Sequence, residues 1–293
     1  KLNICASISA TSPSCKTLSK MPEGILLNRR ALRSTRRLKK SQATSSSARL
    51  LAAILQNRRK MTSTDKIRQL YNLPKNENFG FEETEINEIE KSLDIKFPLE
   101  LKNYYLTLGK VEALNYSHNR LLKPNKEIGF SNDRYLVFYE ENQVVAFWGI
   151  KEQDLKLDNP TVCGNYGTED NPDWHIEANS TDNFFLLMAV YNGTFGGLKY
   201  NANYFGQVQP ETIEFIEKNW TIVTEISWDK QKVYTDNFHE VLSLSFDEQN
   251  NCNGIFIGTS NQERFDKILD KIDIDWSYTS YEDEDCEEEY EDD

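Results

Sequence analysis

FEETEINEIEKSLDIKFPLELKNYYLTLG, residues Phe81 to Gly109, reads as two short helices joined at a fixed corner. Thr84 is placed to cap the first, and Ile86, Ile89 and Leu93 then fall at i, i+3 and i+7 on one apolar stripe. The acids of its first turns complement the positive end of the helix dipole. Asp94 stands where a helix ends in a left-handed residue, a conformation Asp tolerates better than most side chains. Phe97-Pro98 reads as staple and first position of the second helix, because proline starts a helix well but cannot continue one. Leu101, Tyr104, Tyr105 and Leu108 form the inward stripe of that helix, and Gly109 stops it. The expected spans are 84–93 and 98–108.

Downstream, Tyr135-Leu-Val-Phe-Tyr139 and Val144-Val-Ala-Phe-Trp148 flank the polar Glu140–Gln143 and predict a β-hairpin with aromatic and β-branched cross-strand pairs. Residues 151–180 hold a loop punctuated by Pro160, Gly164, Gly167 and Pro172, followed by Asp173–Glu177. Thr181 is placed to cap a helix over Asn183–Tyr191, whose run FFLLMAV implies burial on nearly every side. Gly193-Thr-Phe-Gly-Gly197 follows that helix, so it reads as a stop and turn and not as a phosphate loop. In the last third, Trp220–Trp228, Gln231–Tyr234, Val241–Phe246 and Gly254–Thr259 alternate as strands. Gln262–Ile272 reads as a helix with Phe265, Ile268, Leu269 and Ile272 inward, and residues 62–80 as a short helix (Asp65–Tyr71) plus a polar linker. The predicted core includes Ile89, Leu101, Tyr105, Phe138, Trp148 and Leu187.

The order E-I-x-x-I-E-x-x-L-x-I-x-x-P-x-x-L-K-x-Y-Y-x-x-L-G over Glu85–Gly109 resembles the opening of the SUKH superfamily. This is the Smi/Knr-type domain of bacterial toxin-immunity proteins and fungal cell-wall regulators. The hairpin ending in Trp148-Gly149-Ile150 and the apolar helix after it also resemble that family. The resemblance implies an α+β fold, an antiparallel or mixed sheet flanked by helices, over 76–278. Its core would be about 81–200, with a C-terminal ββα extension. It further implies a non-enzymatic binding module that neutralises a toxin or nuclease, or a regulatory scaffold of the fungal type.

Charge divides the chain. Residues 1–60 hold 14 Lys and Arg against a single acid, Glu23, which leaves 20 basic and 46 acidic residues after them, a net −26. A body this acidic repels nucleic acid and membrane phosphate and favours a basic protein partner. Residues 1–60 are expected to be a disordered basic extension, either a transit peptide or a stretch preceding a natural start at Met61. The abrupt change of composition at Met61 favours the second. From Glu282 to Asp293 ten of twelve residues are acidic, so 279–293 is expected to be a solvated tail. Five scattered cysteines without a C-x-x-C pair argue for a reducing compartment and against a disulfide or zinc framework. No apolar run is long enough to span a membrane. The expected location is therefore the cytoplasm, or an organelle if residues 1–60 are a transit peptide.

No hydrolase, zinc-peptidase or nucleotide-binding motif is present, and nothing calls for a cofactor or metal. His175, beside Asp173 and Trp174, is the one histidine in a setting that suits a tuned base or a ligand, although a loop histidine at a strand start explains it as well. Glu140 with Glu141, or Asp170 with Asp173, offers a glycosidase-like pair, against the plainer reading of a solvated hairpin tip. Among the aromatics most must be core, while Trp174 and the loop residues Tyr116, Tyr166 and Tyr204 are candidates for exposure. The expected partner contacts are Glu140, Glu141, Asp170, Asp173 and Trp174, on a hairpin tip and a neighbouring loop.

Overall fold

The computed structural model describes residues 61–168 and 170–282. The corner forms as the spacing predicts, with two boundaries displaced. Helix α1 (Ser63–Leu70) precedes it. The corner itself is α2 (Glu83–Leu93) and α3 (Leu99–Leu108), with Asp94 left-handed at φ 54° and ψ 45° between them. Thr84 lies inside α2; the boundary is instead at Glu82, whose N–H is accepted by the Glu85 carboxylate at 2.8 Å. Pro98 sits one place before the helix, not at its first position. Gly109 stops α3 without a left-handed turn, at φ −59°. Glycine is needed there for room, because a Cβ would stand 2.7 Å from the Phe81 ring and from the Tyr105 carbonyl oxygen.

A short α4 (Glu112–Asn115) leads into β1 (Arg120–Leu121), β2 (Gly129–Phe130), β3 (Tyr135–Glu140), β4 (Phe147–Lys151), β5 (Val162–Asn165) and β6 (Trp174–Ala178). These make one antiparallel sheet in the order β1-β3-β4-β5-β6, with β2 also paired to β3. The expected second arm of the hairpin, Val144–Trp148, is displaced three residues. Glu140 pairs with Phe147, and Val144 occupies the turn at φ 61°. The Glu141 carboxylate explains the displacement, since it accepts the N–H of Gln143 at 2.7 Å and closes the turn early.

Helix α5 (Thr181–Asn192) is the centre of the molecule, with every residue from Phe184 to Val190 buried. Its N-cap position is Ser180; Thr181 turns inward and donates to the Pro160 carbonyl at 2.9 Å. On one side Phe184 meets Phe138 and Trp148 of the first sheet edge-on or tilted, while Phe185 stacks on Tyr104 at 3.5 Å. On the other side Tyr71, just past α1, donates to the Ala189 carbonyl at 2.8 Å. Ile67 and Leu70 belong to the same core, so the packed unit begins at Met61, ahead of the expected start at 76.

The C-terminal part is larger than a ββα extension. It comprises β7 (Tyr200–Phe205), α6 (Pro210–Asn219), β8 (Thr221–Ile222), β9 (Gln231–Thr235), β10 (Glu240–Phe246), β11 (Cys252–Thr259), α7 (Gln262–Lys271) and β12 (Tyr278–Thr279). The strands form a second antiparallel sheet, ordered β12-β7-β11-β10-β9-β8. Val233 and Val241 turn to the α5 core, while Tyr234, Leu242, Leu244, Ile255 and Ile257 build a second core with Ile216 of α6 and Phe265 and Ile268 of α7. The long strand expected over 220–228 is instead two residues of β8 and a 3-10 turn at Thr224–Ile226, which buries Val223 and Ile226 with a period of three. Residues 279–282, expected to be tail, are folded: Thr279 pairs with Ala202, and Tyr281 donates to Asp266 at 2.6 Å. The rest of the acidic tail and the whole basic extension lie outside the described residues. The fold is α+β and antiparallel, and Ile89, Leu101, Tyr105, Phe138, Trp148 and Leu187 are all buried.

Candidate functional site

Helix α5 covers one face of the first sheet, and residues directly opposite in antiparallel strands share a face. Two rows across the sheet define the other face. One is Val137–Gly149–Cys163–Ile176 and the second is Arg120–Glu140–Phe147–Asn165–Trp174. Tyr135, opposite Lys151, begins a third row. The Trp174 ring stacks on that of Tyr135, three strands away, with centroids 3.8 Å apart and planes within 9°. The diagonal between them passes Gly149 and Cys163 on the two intervening strands, and a Cβ on Gly149 would stand 2.8 Å from the Leu136 carbonyl oxygen. Ile176 is 67% exposed at the end of its row. An apolar floor with a large aliphatic in water is unusual on a sheet face, and such a patch marks an interaction surface.

The rim is charged. Asp133 accepts the Trp174 indole N–H at 3.2 Å and so fixes the ring in its stack. Glu140 is held by Arg120, whose Nε donates to it at 2.7 Å, and Arg120 also reaches Glu127 at 2.8 Å. Arg134 lies over the Phe130 ring at 4.2 Å and pairs with Glu152. Asp170 and Asp173 are exposed in the loop before β6, with Asp173 2.8 Å from His175 Nε2. Of the five expected contacts, Glu140 and Trp174 therefore share a row, while Asp170 and Asp173 are exposed in the loop before β6, with Asp173 turned to His175. Glu141 does not join them. It is 4% exposed and committed to the turn, because successive strand residues point to opposite faces. For the same reason Glu140 and Glu141 cannot form the facing pair a glycosidase needs. His175 has one carboxylate neighbour; among the described residues no group of three or more His, Cys, Asp or Glu is placed to hold a metal ion.

Two further features were not evident from the residues in line. At the covered side of β6, Tyr166 donates to Glu177 beside the buried indole of Trp148. Burial pushes the Glu177 carboxyl up, and the hydrogen bond from Tyr166 offsets part of that rise. Burial and the Glu177 charge likewise push the Tyr166 phenol well above its ordinary value. Tyr166, a candidate for exposure from the sequence, is 39% exposed, but its partner is eleven residues away on another strand. Elsewhere, a cleft of about 190 Å³ is lined by Trp220, Asp236, Glu240, Arg264, Lys267 and Lys271. Its central groups satisfy one another: Arg264 binds Asp236 at 3.0 Å and Glu240 at 2.6 Å, and the Trp220 indole donates to Glu240 at 3.0 Å. The open sheet face, with unspent apolar surface, is the stronger candidate. No family model, curated protein or solved structure matches this chain.

Proposed function

We propose that this protein is a non-enzymatic binding module of the SUKH kind, which takes a basic protein partner on the open face of the first sheet and neutralises or regulates it. The observation that carries the reading is the Trp174–Tyr135 stack beside the exposed Ile176 on the face of the first sheet opposite α5. A Trp already ordered by a stack and an indole hydrogen bond loses little freedom on binding, which suits an anchor residue. The net −26 after residue 60 supports a basic partner, and a toxin or nuclease domain has that character.

The test is a partner isolated from the native host, followed by association kinetics. Association should slow several-fold from low to physiological salt, while Trp174→Ala should raise the dissociation rate by about 30-fold, corresponding to roughly 2 kcal/mol for a central aromatic. An on-rate indifferent to salt, or a Trp174→Ala protein that dissociates like the parent, would count against the reading. So would turnover of a substrate by the purified protein.

A further inference from the structure

The open face ends at β6, and β6 is an edge. Its hydrogen-bond pattern fixes which backbone groups are free. Tyr166 N–H donates to the Asp173 carbonyl at 3.1 Å, so that pair is a hydrogen-bonded one. Such pairs alternate along an antiparallel ladder. Gly164 and His175 are then the next hydrogen-bonded pair, whereas Asn165–Trp174 and Cys163–Ile176 are not. The N–H and C=O groups of Trp174 and Ile176 therefore point away from β5. Among the described residues no strand pairs with that side.

Exposed edges are usually blunted by charge, proline or brevity. β6 has five residues, no Lys, Arg or Pro, and carries Trp174 and Ile176 at i and i+2 on the open face. Its one irregularity is the bulge at Glu177, beyond Ile176. Acids lie just before the strand at Asp170 and Asp173, and Asp133 accepts the indole N–H.

Building on the protein-binding role proposed above, we propose that β6 receives its partner by strand addition. The occupant is an extended basic segment whose backbone pairs with Trp174 and Ile176, whose alternate apolar side chains join these two on the open face, and whose Lys or Arg residues meet those acids. Main-chain bonds supply affinity in this mode, and side chains on one face supply selectivity. A second copy of this chain is a poor occupant, because β6 brings no Lys or Arg to meet those acids.

The experiment selects displayed peptides of about twelve residues, long enough to span β6 with its flanks, on the full chain. The best binder is then remade with N-methyl groups on alternate residues, in both phases. Peptides with alternating apolar residues and a Lys/Arg excess should emerge. N-methylation in one phase should weaken binding by about tenfold or more, and in the other phase much less. Ile176→Pro removes an N–H that the β5–β6 ladder does not use, a placement an edge strand tolerates. It should lose binding to the same extent, with circular dichroism unchanged. Should that variant not fold, the N-methyl pair on the unaltered protein decides the matter alone. No enrichment, acidic peptides, or equal tolerance of both methylation phases overturns strand addition. If phase-insensitive binders are still lost on Trp174→Ala, strand addition fails while the binding face stands; if Trp174→Ala is also silent, both fail.

Discussion

Removing the Glu90 side chain tests what holds the helical corner together. Glu90 is 1% exposed, and one carboxylate oxygen accepts the buried Phe97 N–H at 2.8 Å. The other oxygen meets Lys96 Nζ at 2.8 Å and Lys102 Nζ at 3.8 Å. The ion pairs look like the natural explanation, but the Lys96 side chain is 81% exposed, and a pair of that kind contributes well under 1 kcal/mol. The backbone contact is different. In Glu90→Ala the Phe97 N–H has no acceptor and little water, a cost of about 1–3 kcal/mol, and the lost methylene packing adds roughly 1 kcal/mol. Glu90→Gln keeps a carbonyl for Phe97 and gives up only the charge. We expect losses of about 3 kcal/mol for Glu90→Ala, about 1 kcal/mol for Glu90→Gln and under about 0.5 kcal/mol for Lys96→Ala. For a folded unit of this size these correspond to falls in Tm of roughly 6–12 °C, 2–4 °C and less than 2 °C. Urea titrations followed by circular dichroism supply the energies, with unchanged m values showing that the unfolding reaction is the same. Equal losses for Glu90→Gln and Glu90→Ala, or a Lys96→Ala loss approaching that of Glu90→Ala, would refute the backbone-acceptor account.

Two other outcomes follow from the packing. A chain beginning at residue 76 should melt lower and less cooperatively than one beginning at Met61. It lacks Ile67, Leu70, the Tyr71 bond to Ala189 and the Ser260 bond to the Leu70 carbonyl; identical thermal transitions would show that α1 is dispensable. Glu177, whose carboxyl pKa is raised by burial, favours the fold when protonated, so its contribution is present below the ordinary carboxylate range and lost as pH rises through the folded value. Glu177→Gln should therefore raise Tm near pH 7.5 and change it little near pH 4, and a lower Tm at the higher pH would contradict that sign.

The sequence was most legible where the determinants are local. A left-handed Asp94, a proline three residues after Ile95 and an apolar run from Phe184 to Val190 each carry their structural reason within one helical turn or its border. The β10–β11 hairpin was readable for the same reason, as was the inward stripe of α7. Helix α6 was legible but passed over: Pro210 opens it, Glu211 follows in the first turn, and Ile213 and Ile216 sit three apart. The errors fall where a side-chain turn or a tertiary contact overrides alternation. Val144 and Val145 have the composition of a strand, yet Glu141 folds back on the chain and puts Val144 at a positive φ that β-branched residues rarely adopt. Val223 and Ile226 lie in a stretch that alternates like a strand, but they reach the α5 core through a 3-10 turn with a period of three.

The candidate site illustrates the same divide at a higher level. Trp174 and Ile176, two residues apart in a strand, had to share a face, and that much follows from the pleat alone. Whether that face is core or water depends on where α5 lies, and α5 lies against the opposite face because its own sides are spent on Phe138, Trp148, Tyr104 and Tyr71. Whether β6 is an edge depends on the strand order, which no single segment encodes. Taken alone, the exposure of Ile176 is a liability, because it invites unspecific pairing along a free strand. The aromatic stack offsets part of that liability, since Trp174 rests on Tyr135 and Asp133 when no partner is present. A surface arranged in this way holds its anchor ready and leaves only the strand edge and one aliphatic side chain to be covered, which is what a selective strand-adding partner needs.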